Sequence, residues 1–251
     1  MSNTEIDEFG IVKKFPDLEG GVTIVQGEPE WGETYTQHGY KSIPGVKIWR
    51  KTFNFNKKLK PDQEVTIYVF LPKLNKEYGS HPKVGKCQSG SGLSIKLRGG
   101  THSNDGENSA HCYIFHYEYE GGKCNNFQKE YPHPTYDKND IDEQNKFPNW
   151  IGKVMGFKGA AINTDDDKEV EFWCWFDESA SVDNNGNLVT NNDWKLRYHG
   201  KDTGKGNGKY GGGDRKDPFT TTWGKLTEFR MDNADKETKA FCASIREIRR
   251  P

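Results

Sequence analysis

Four short stretches hold most of the side chains in this sequence that are able to grip or cleave a polymer of sugars. Lys96 and Arg98 follow one another at a spacing of two, as do Gln128 and Glu130. His111, Tyr113, Phe115, Tyr117 and Tyr119 alternate with Cys112, Ile114, His116 and Glu118, and Glu171, Trp173, Trp175 and Asp177 alternate with Val170, Phe172, Cys174 and Phe176. Sugar rings stack on aromatic planes, and guanidinium groups pair with carboxylates through two parallel hydrogen bonds. If the four stretches are strands of one sheet, its exposed face is a groove for such a polymer. The plainer reading makes the aromatics core and the charges a solvated face, and at this level both stay open.

Other constellations carry less. Gly200-Lys201-Asp202-Thr203-Gly204-Lys205 has the wrong spacing for a phosphate-binding loop and continues into Gly206 where Ser or Thr is required, so the glycine-rich stretch to Gly213 reads as a long loop. The Glu-x-Asp-x-x-Glu strand of jelly-roll glucanases is missing around Glu169 to Asp177, which ranks retaining hydrolysis below elimination. Asp165 to Asp167, and separately Asp183, Asn185 and Asn187, offer hard oxygens to calcium but lack a binding-loop spacing, so solvated turns are the better reading and no cofactor is expected. The segment Gln128 to Tyr136 places His133 between Pro132 and Pro134, a rigid turn or a groove wall. Five cysteines without a CxxC pair argue against zinc.

The elements that must position these residues are strands. Val65 to Leu71 is dense in β-branched and aromatic residues and ends at Pro72, while Leu93, Ile95 and Leu97 alternate with polar neighbours before Gly99-Gly100. Helix-period stretches are nearly absent, so the chain reads as all-β, sheet on sheet. Apolar residues make up only 32%, but aromatics at 13% supply large buried area per residue. No linker or repeat divides the chain, which predicts a flexible arm over residues 1–20 and a single β-sandwich domain over 21–251. Thirty-six basic against 37 acidic residues leave a formal charge of -1, which disfavours nucleic acid and membrane surfaces as partners. The N-terminus MSNTEIDEFG has neither a basic nor an apolar leader; a chain trimmed of a signal peptide reads the same way and would be extracellular.

One run of motifs adds a resemblance. Phe70-Leu71-Pro72-Lys73-Leu74, Tyr78-Gly79, Cys87, Gly90-Ser91-Gly92, Ser94-Ile95-Lys96-Leu97-Arg98 and Tyr113-Ile114-Phe115 are similar in order to the polysaccharide lyases of family fourteen, which act on alginate and glucuronan. The resemblance spans Val65 to Tyr119 and departs from the family where Phe115 replaces a second tyrosine and where the glycines of a Gly-Gly-Lys-Leu-Pro-Gly signature are absent. It implies a concanavalin-like jelly roll with a concave polar and aromatic face, and an acidic polysaccharide as partner. It also implies β-elimination from a uronate. Arg98, with Lys96 or Gln128, would neutralise the sugar carboxylate, Lys73 or a histidine (His102, His116, His133) would take the C5 proton, and Tyr113 or Tyr117 would protonate the leaving oxygen. Glu130, Glu171, Trp173, Trp175 and Asp177 would line the substrate. The alternative is a noncatalytic carbohydrate-binding or surface-structural sandwich using the same aromatics.

Overall fold

The computed structural model describes residues 5–18, 23–27, 31–34, 47–54, 60–73, 92–99, 111–119, 126–130, 136–140, 147–204, 218–221, 226–232 and 234–251. Along the chain the strands are β1 (Thr23–Gly27), β2 (Trp31–Thr34), β3 (Lys47–Asn54), β4 (Gln63–Leu71), β5 (Gly92–Gly99), β6 (Cys112–Glu118), β7 (Asn126–Glu130), β8 (Tyr136–Asp140), β9 (Lys153–Asn163), β10 (Val170–Asp177), β11 (Ser181–Val182), β12 (Leu188–Val189), β13 (Trp194–Asp202), β14 (Leu226–Asp232) and β15 (Lys239–Glu247). They form a six-stranded sheet in the order β1-β15-β4-β9-β10-β13, a seven-stranded sheet in the order β2-β3-β14-β5-β6-β7-β8, and the small pair β11-β12. Each of these pairings is antiparallel. The all-β sandwich that the sequence predicts is the architecture observed.

The two large sheets face one another across an apolar interior. Period-2 alternation sends Val65, Ile67, Val69 and Leu71 of β4, Met155 and Phe157 of β9, and Val170, Phe172 and Cys174 of β10 inward from one side. Leu93, Ile95 and Leu97 of β5, Tyr113, Phe115 and Tyr117 of β6, Phe127 of β7, and Phe229 and Met231 of β14 meet them from the other. Gly159 shows how close the layers come, because a Cβ there would lie 2.6 Å from the Phe115 ring. The β6 aromatics are therefore core, where the groove reading places them on an exposed face. Burying a phenol requires a partner for its hydroxyl, and Tyr117 finds one in Cys174 Sγ at 2.7 Å.

A second apolar layer covers the outer face of the six-stranded sheet. Ile11 is packed with Tyr68, Val154, Ile162, Trp175 and Trp194, and Phe9, Val12 and Phe15 lie against the same cluster. The arm that the sequence predicts to be flexible is thus laid down on the sheet over residues 5–18. Its polar anchor is the buried Glu64, which accepts the backbone N–H groups of Lys14 and Phe15 at 3.2 Å each and pairs with Lys158 (3.2 Å) and Arg246 (3.0 Å). Arg246 in turn binds Asp17 and the Phe15 carbonyl. Four aromatic or branched side chains in the seven residues from Phe9 to Phe15 supply the burial, and Glu64 fixes the register.

Asp17 controls this docking through its charge. Burial works to raise its carboxyl, but hydrogen bonds from Lys13 and Arg246 outweigh that and hold it below the usual carboxylate range. A depressed native pKa adds stability above the ordinary carboxylate range, and that stability is lost as pH falls through the native value. Amide exchange over residues 5–18 should therefore accelerate several-fold relative to β4 below about pH 4. Asp17→Asn should produce the same acceleration at neutral pH. Unchanged exchange in both tests would mean that the ion pair does not hold the segment.

Candidate functional site

The residues proposed from sequence for one groove are distributed by the fold over five separate places. Arg98 is displaced by a bulge. Leu226 pairs with Gly99 but Glu228 pairs with Lys96, so β5 carries one extra residue, and Arg98 sits there with φ +55°. Its side chain leaves the face of Lys96 and runs to the end of the sandwich, fully buried. Nη1 donates to Asn163 Oδ1 and to the Phe219 carbonyl, both at 2.6 Å, and Nη2 reaches Asp62 Oδ1 at 3.4 Å. Asn163 belongs to the opposite sheet, so the guanidinium ties the two sheets together.

Tyr113 joins this arrangement through Phe219. Its hydroxyl accepts the Phe219 N–H at 2.6 Å and donates to Asp202 Oδ2 at 2.8 Å. The Lys129 ammonium lies 2.7 Å from Asp202 and 4.6 Å from the Phe219 ring centroid, and His111 stacks parallel on that ring at 5.5 Å. Burial, reinforced by Asp202, pushes the Tyr113 phenol well above its ordinary range. Burial draws the Arg98 guanidinium down to about 10, against the pull of Tyr113, Asp62 and Asp167. The phenol keeps its proton and both groups are closed to solvent, so this cluster clasps the sandwich end. Sequence reasoning missed Phe219, because a lone Phe after Pro218 in a polar stretch carries no periodic signal.

Lys73 stands at the other end. It follows β4 after Pro72, is largely exposed, and pairs with Asp235 (3.8 Å) and Glu237 (3.6 Å). Asp62, the partner of Arg98, precedes the same strand, so at about 3.3 Å per residue the two ends are roughly 30 Å apart. Tyr117 is in the core, where burial pushes its phenol well up and the Cys174 thiol up to about 12. His116 faces outward and shares a 2.8 Å hydrogen bond with Ser94. The structure brings Arg98 and Tyr113 together but not Lys73, Tyr117 or His116 with them.

The outer face of the seven-stranded sheet holds Lys96, Gln128 and Glu130. Lys96 Nζ lies 3.3 Å from Glu130 Oε2, which also accepts the Cys112 thiol at 3.4 Å, and Glu228 pairs with Lys96 across β14 and β5. Burial lowers the Lys96 ammonium, but the Cys112 thiol group and the carboxylates of Glu130 and Glu228 beside it outweigh that and raise it. Lys96, Glu130 and Glu228 are all buried. The alternation of Glu228 and Arg230 with Phe229 and Met231 was the signal that could have found the second glutamate. His102 and His133 lie outside the described residues.

The outer face of the six-stranded sheet carries the β10 set. Asp177 is fully buried and accepts the Tyr68 hydroxyl (2.9 Å), the Ser179 N–H (2.8 Å) and hydroxyl (2.6 Å), and the Thr190 hydroxyl. Trp175 lies beneath Phe15 at 6.0 Å and Lys14 at 5.9 Å. Trp173 is only half-buried: the exposed ring of His199 on β13 stacks on it at 4.7 Å and 13°, and Phe15 meets it edge-on at 5.1 Å. Beside this pair, Glu171 binds Lys201 at 2.8 Å and Arg250 at 3.2 Å. Burial works to raise the Glu171 carboxyl, but these two cations outweigh it and hold it low. An aromatic plane meets solvent next to charged hydrogen-bonding groups at this place, which makes it the candidate binding site. His199 and Lys201 are the members that sequence reasoning missed; they alternate on β13 opposite Trp173 and Glu171.

Among the described residues, no three His, Cys, Asp or Glu side chains are grouped to hold a metal ion. The Asp183 carboxylate accepts the N–H groups of Asn185 and Asn187 at 2.8 Å each, an Asx turn that closes its own loop.

No protein family model and no curated protein matches this chain. Solved structures to which it is similar include lectin II from Ulex europaeus (10% identity over 93% of this chain and 95% of that one, TM-score 0.36), peanut lectin with a bound nonapeptide (9%, 94% and 97%, 0.32) and the Lotus tetragonolobus seed lectin (9%, 94% and 97%, 0.35). The fold and the site define a two-sheet antiparallel β-sandwich with an aromatic and ionic strip on one outer face.

Since Arg98 ties the sheets, Arg98→Met should lower unfolding free energy in urea by about 3–5 kcal/mol, because Asp62 and Asn163 lose a buried charged partner. A variant of unchanged stability would show that the guanidinium is not a structural tie.

Proposed function

We propose that this protein is a noncatalytic carbohydrate-binding β-sandwich whose ligand is an acidic glycan. The observation that carries the reading is the stack of Trp173 on His199 at the solvent boundary, flanked by Glu171, Lys201 and Arg250. The stacked pair, with His199 its exposed member, offers the flat surface on which one face of a sugar ring rests. The adjacent cations offer hydrogen bonds to hydroxyls and to a uronate carboxylate. Lys14, over the neighbouring Trp175 ring at 5.9 Å, adds a third cation to that face of the sheet.

The resemblance to family-fourteen lyases points instead to β-elimination, and the geometry supports it less well. Elimination needs a cation, a base and a phenol within hydrogen-bond reach of one sugar. Arg98 and Tyr113 are wholly buried around Phe219, and Lys73 is at the far end of the sandwich.

The test is affinity electrophoresis against alginate, glucuronan, pectate and a neutral glucan, with ultraviolet detection of unsaturated uronate in the same incubations. Binding to the uronate polymers without an unsaturated product is the expected result. Trp173→Ala should weaken that binding at least tenfold, about 1.4 kcal/mol, while circular dichroism still reports the folded sandwich. Retained binding in the variant would remove the Trp173 face as the site, and an unsaturated product would replace binding by catalysis.

A further inference from the structure

A cavity of about 460 Å³ opens on the outer face of the six-stranded sheet, away from the Trp173 strip. Trp173 is level with Ala160 and Glu64, whereas the cavity is level with Phe70 and Val154. Six residues along β4 at about 3.3 Å each separate the two places by roughly 20 Å. The volume falls within the range of about 300–1,000 Å³ in which small ligands are held.

Its lining divides by chemistry. Phe70, Val154, Ala180 and Val182 supply an apolar floor and wall, while Lys153, Lys239, Glu178 and Ser181 supply the polar groups. Among the described residues neither lysine is in an ion pair; Lys239 shares the outer face with Phe70, its register partner, while Lys153, paired with the inward-pointing Leu71, lines the rim, and the cavity contains one carboxylate. The wall is held by bonds within the fold. Asp177, buried at the start of that segment, holds Ser179 by its N–H and hydroxyl, and Thr190 and Tyr68 by their hydroxyls. Ser181 and Val182 are paired with Val189 and Leu188. A preformed wall spares the ligand the cost of ordering it.

We infer that this cavity is a second binding site, for a small carboxylate with an apolar body, its anion at Lys239 on the side toward Lys153 and its body on Phe70 and Val154. The site is independent of the glycan reading. It depends on charge and apolar area at one end of β4, β9 and β15, and on nothing at the Trp173 strip.

The probe is 2-naphthoate, titrated into the full chain at low ionic strength by fluorescence, with 2-naphthylmethanol as the uncharged counterpart. Saturable 1:1 binding of naphthoate, at least about tenfold tighter than the alcohol, is the expected result. Lys239→Gln should weaken naphthoate several-fold and Lys153→Gln by less, each leaving the alcohol unchanged, since Lys153 is exposed and Lys239 partly exposed and neither loss threatens folding. Ala180→Trp, which fills the cavity, should abolish binding of both probes, and Trp173→Ala should change neither. Absence of saturable naphthoate binding, equal affinity for acid and alcohol, or indifference to both lysine substitutions would overturn the assignment. The naphthoate result and the glycan result are read on separate variants, so either can fail alone.

Discussion

The aromatic layer between the two sheets constrains everything outside it. Phe172 stands at its centre, 4.2 Å from Phe127, 4.6 Å from Tyr113 and 6.3 Å from Phe115, ring to ring. A chain with so few aliphatic residues reaches native packing density by interlocking large rings, and an interior of that kind tolerates little change in volume. The rings supplied by β6 are thereby committed to the core. Their hydroxyls must then be satisfied inside, and the partners they take (Asp202 for Tyr113, Cys174 for Tyr117) belong to β13 and β10 of the facing sheet. The aromatic layer thus also decides where polar groups stand on the opposite strands.

Bulges adjust this arrangement locally. The extra residue on β5 carries Arg98 to φ +55°, and an extra residue on β15, where Phe241 pairs with Tyr68 but Ser244 with Thr66, carries Cys242 to φ +49°. A left-handed conformation is costly for side chains of this size and persists only where the surroundings enforce it. At Arg98 the enforcing contacts are the bonds to Asn163, Phe219 and Asp62. The first bulge turns a residue that alternation assigns to an outer face into a tie between the sheets.

This explains which parts of the molecule were legible in the sequence. Residue density identified β4 as a strand, and alternation identified β5 with its inward set and separated the two faces of β10, because a half-buried strand has a period of two. Alternation in β6 was also read correctly, but it does not say which face is core when both carry bulky residues. The aromatic set was aimed outward when packing needed it inward. The position of Arg98 was illegible because a one-residue bulge leaves no mark in composition. The expected joint face of Lys96, Gln128, Glu130 and the β10 tryptophans failed for a different reason. Strand adjacency is a property of topology, and β10 belongs to a different sheet from β5, β6 and β7.

Coverage then selects where the molecule meets its surroundings. On the seven-stranded sheet three of the charged residues that alternate outward, Lys96, Glu130 and Glu228, are buried. On the six-stranded sheet the segment 5–18 covers part of the outer face and the 178–193 segment covers another, each pinned by one buried carboxylate, Glu64 and Asp177 respectively. Two carboxylates that bind backbone N–H groups or hydroxyls of a covering segment do more than neutralise charge. They set the edges of what is covered. The Trp173 strip lies beyond the edge set by Glu64 and the cavity at Phe70 lies beside the edge set by Asp177. Both openings therefore follow from the same device, a buried acid in the sheet that fixes a peripheral segment and leaves the strand positions next to it exposed.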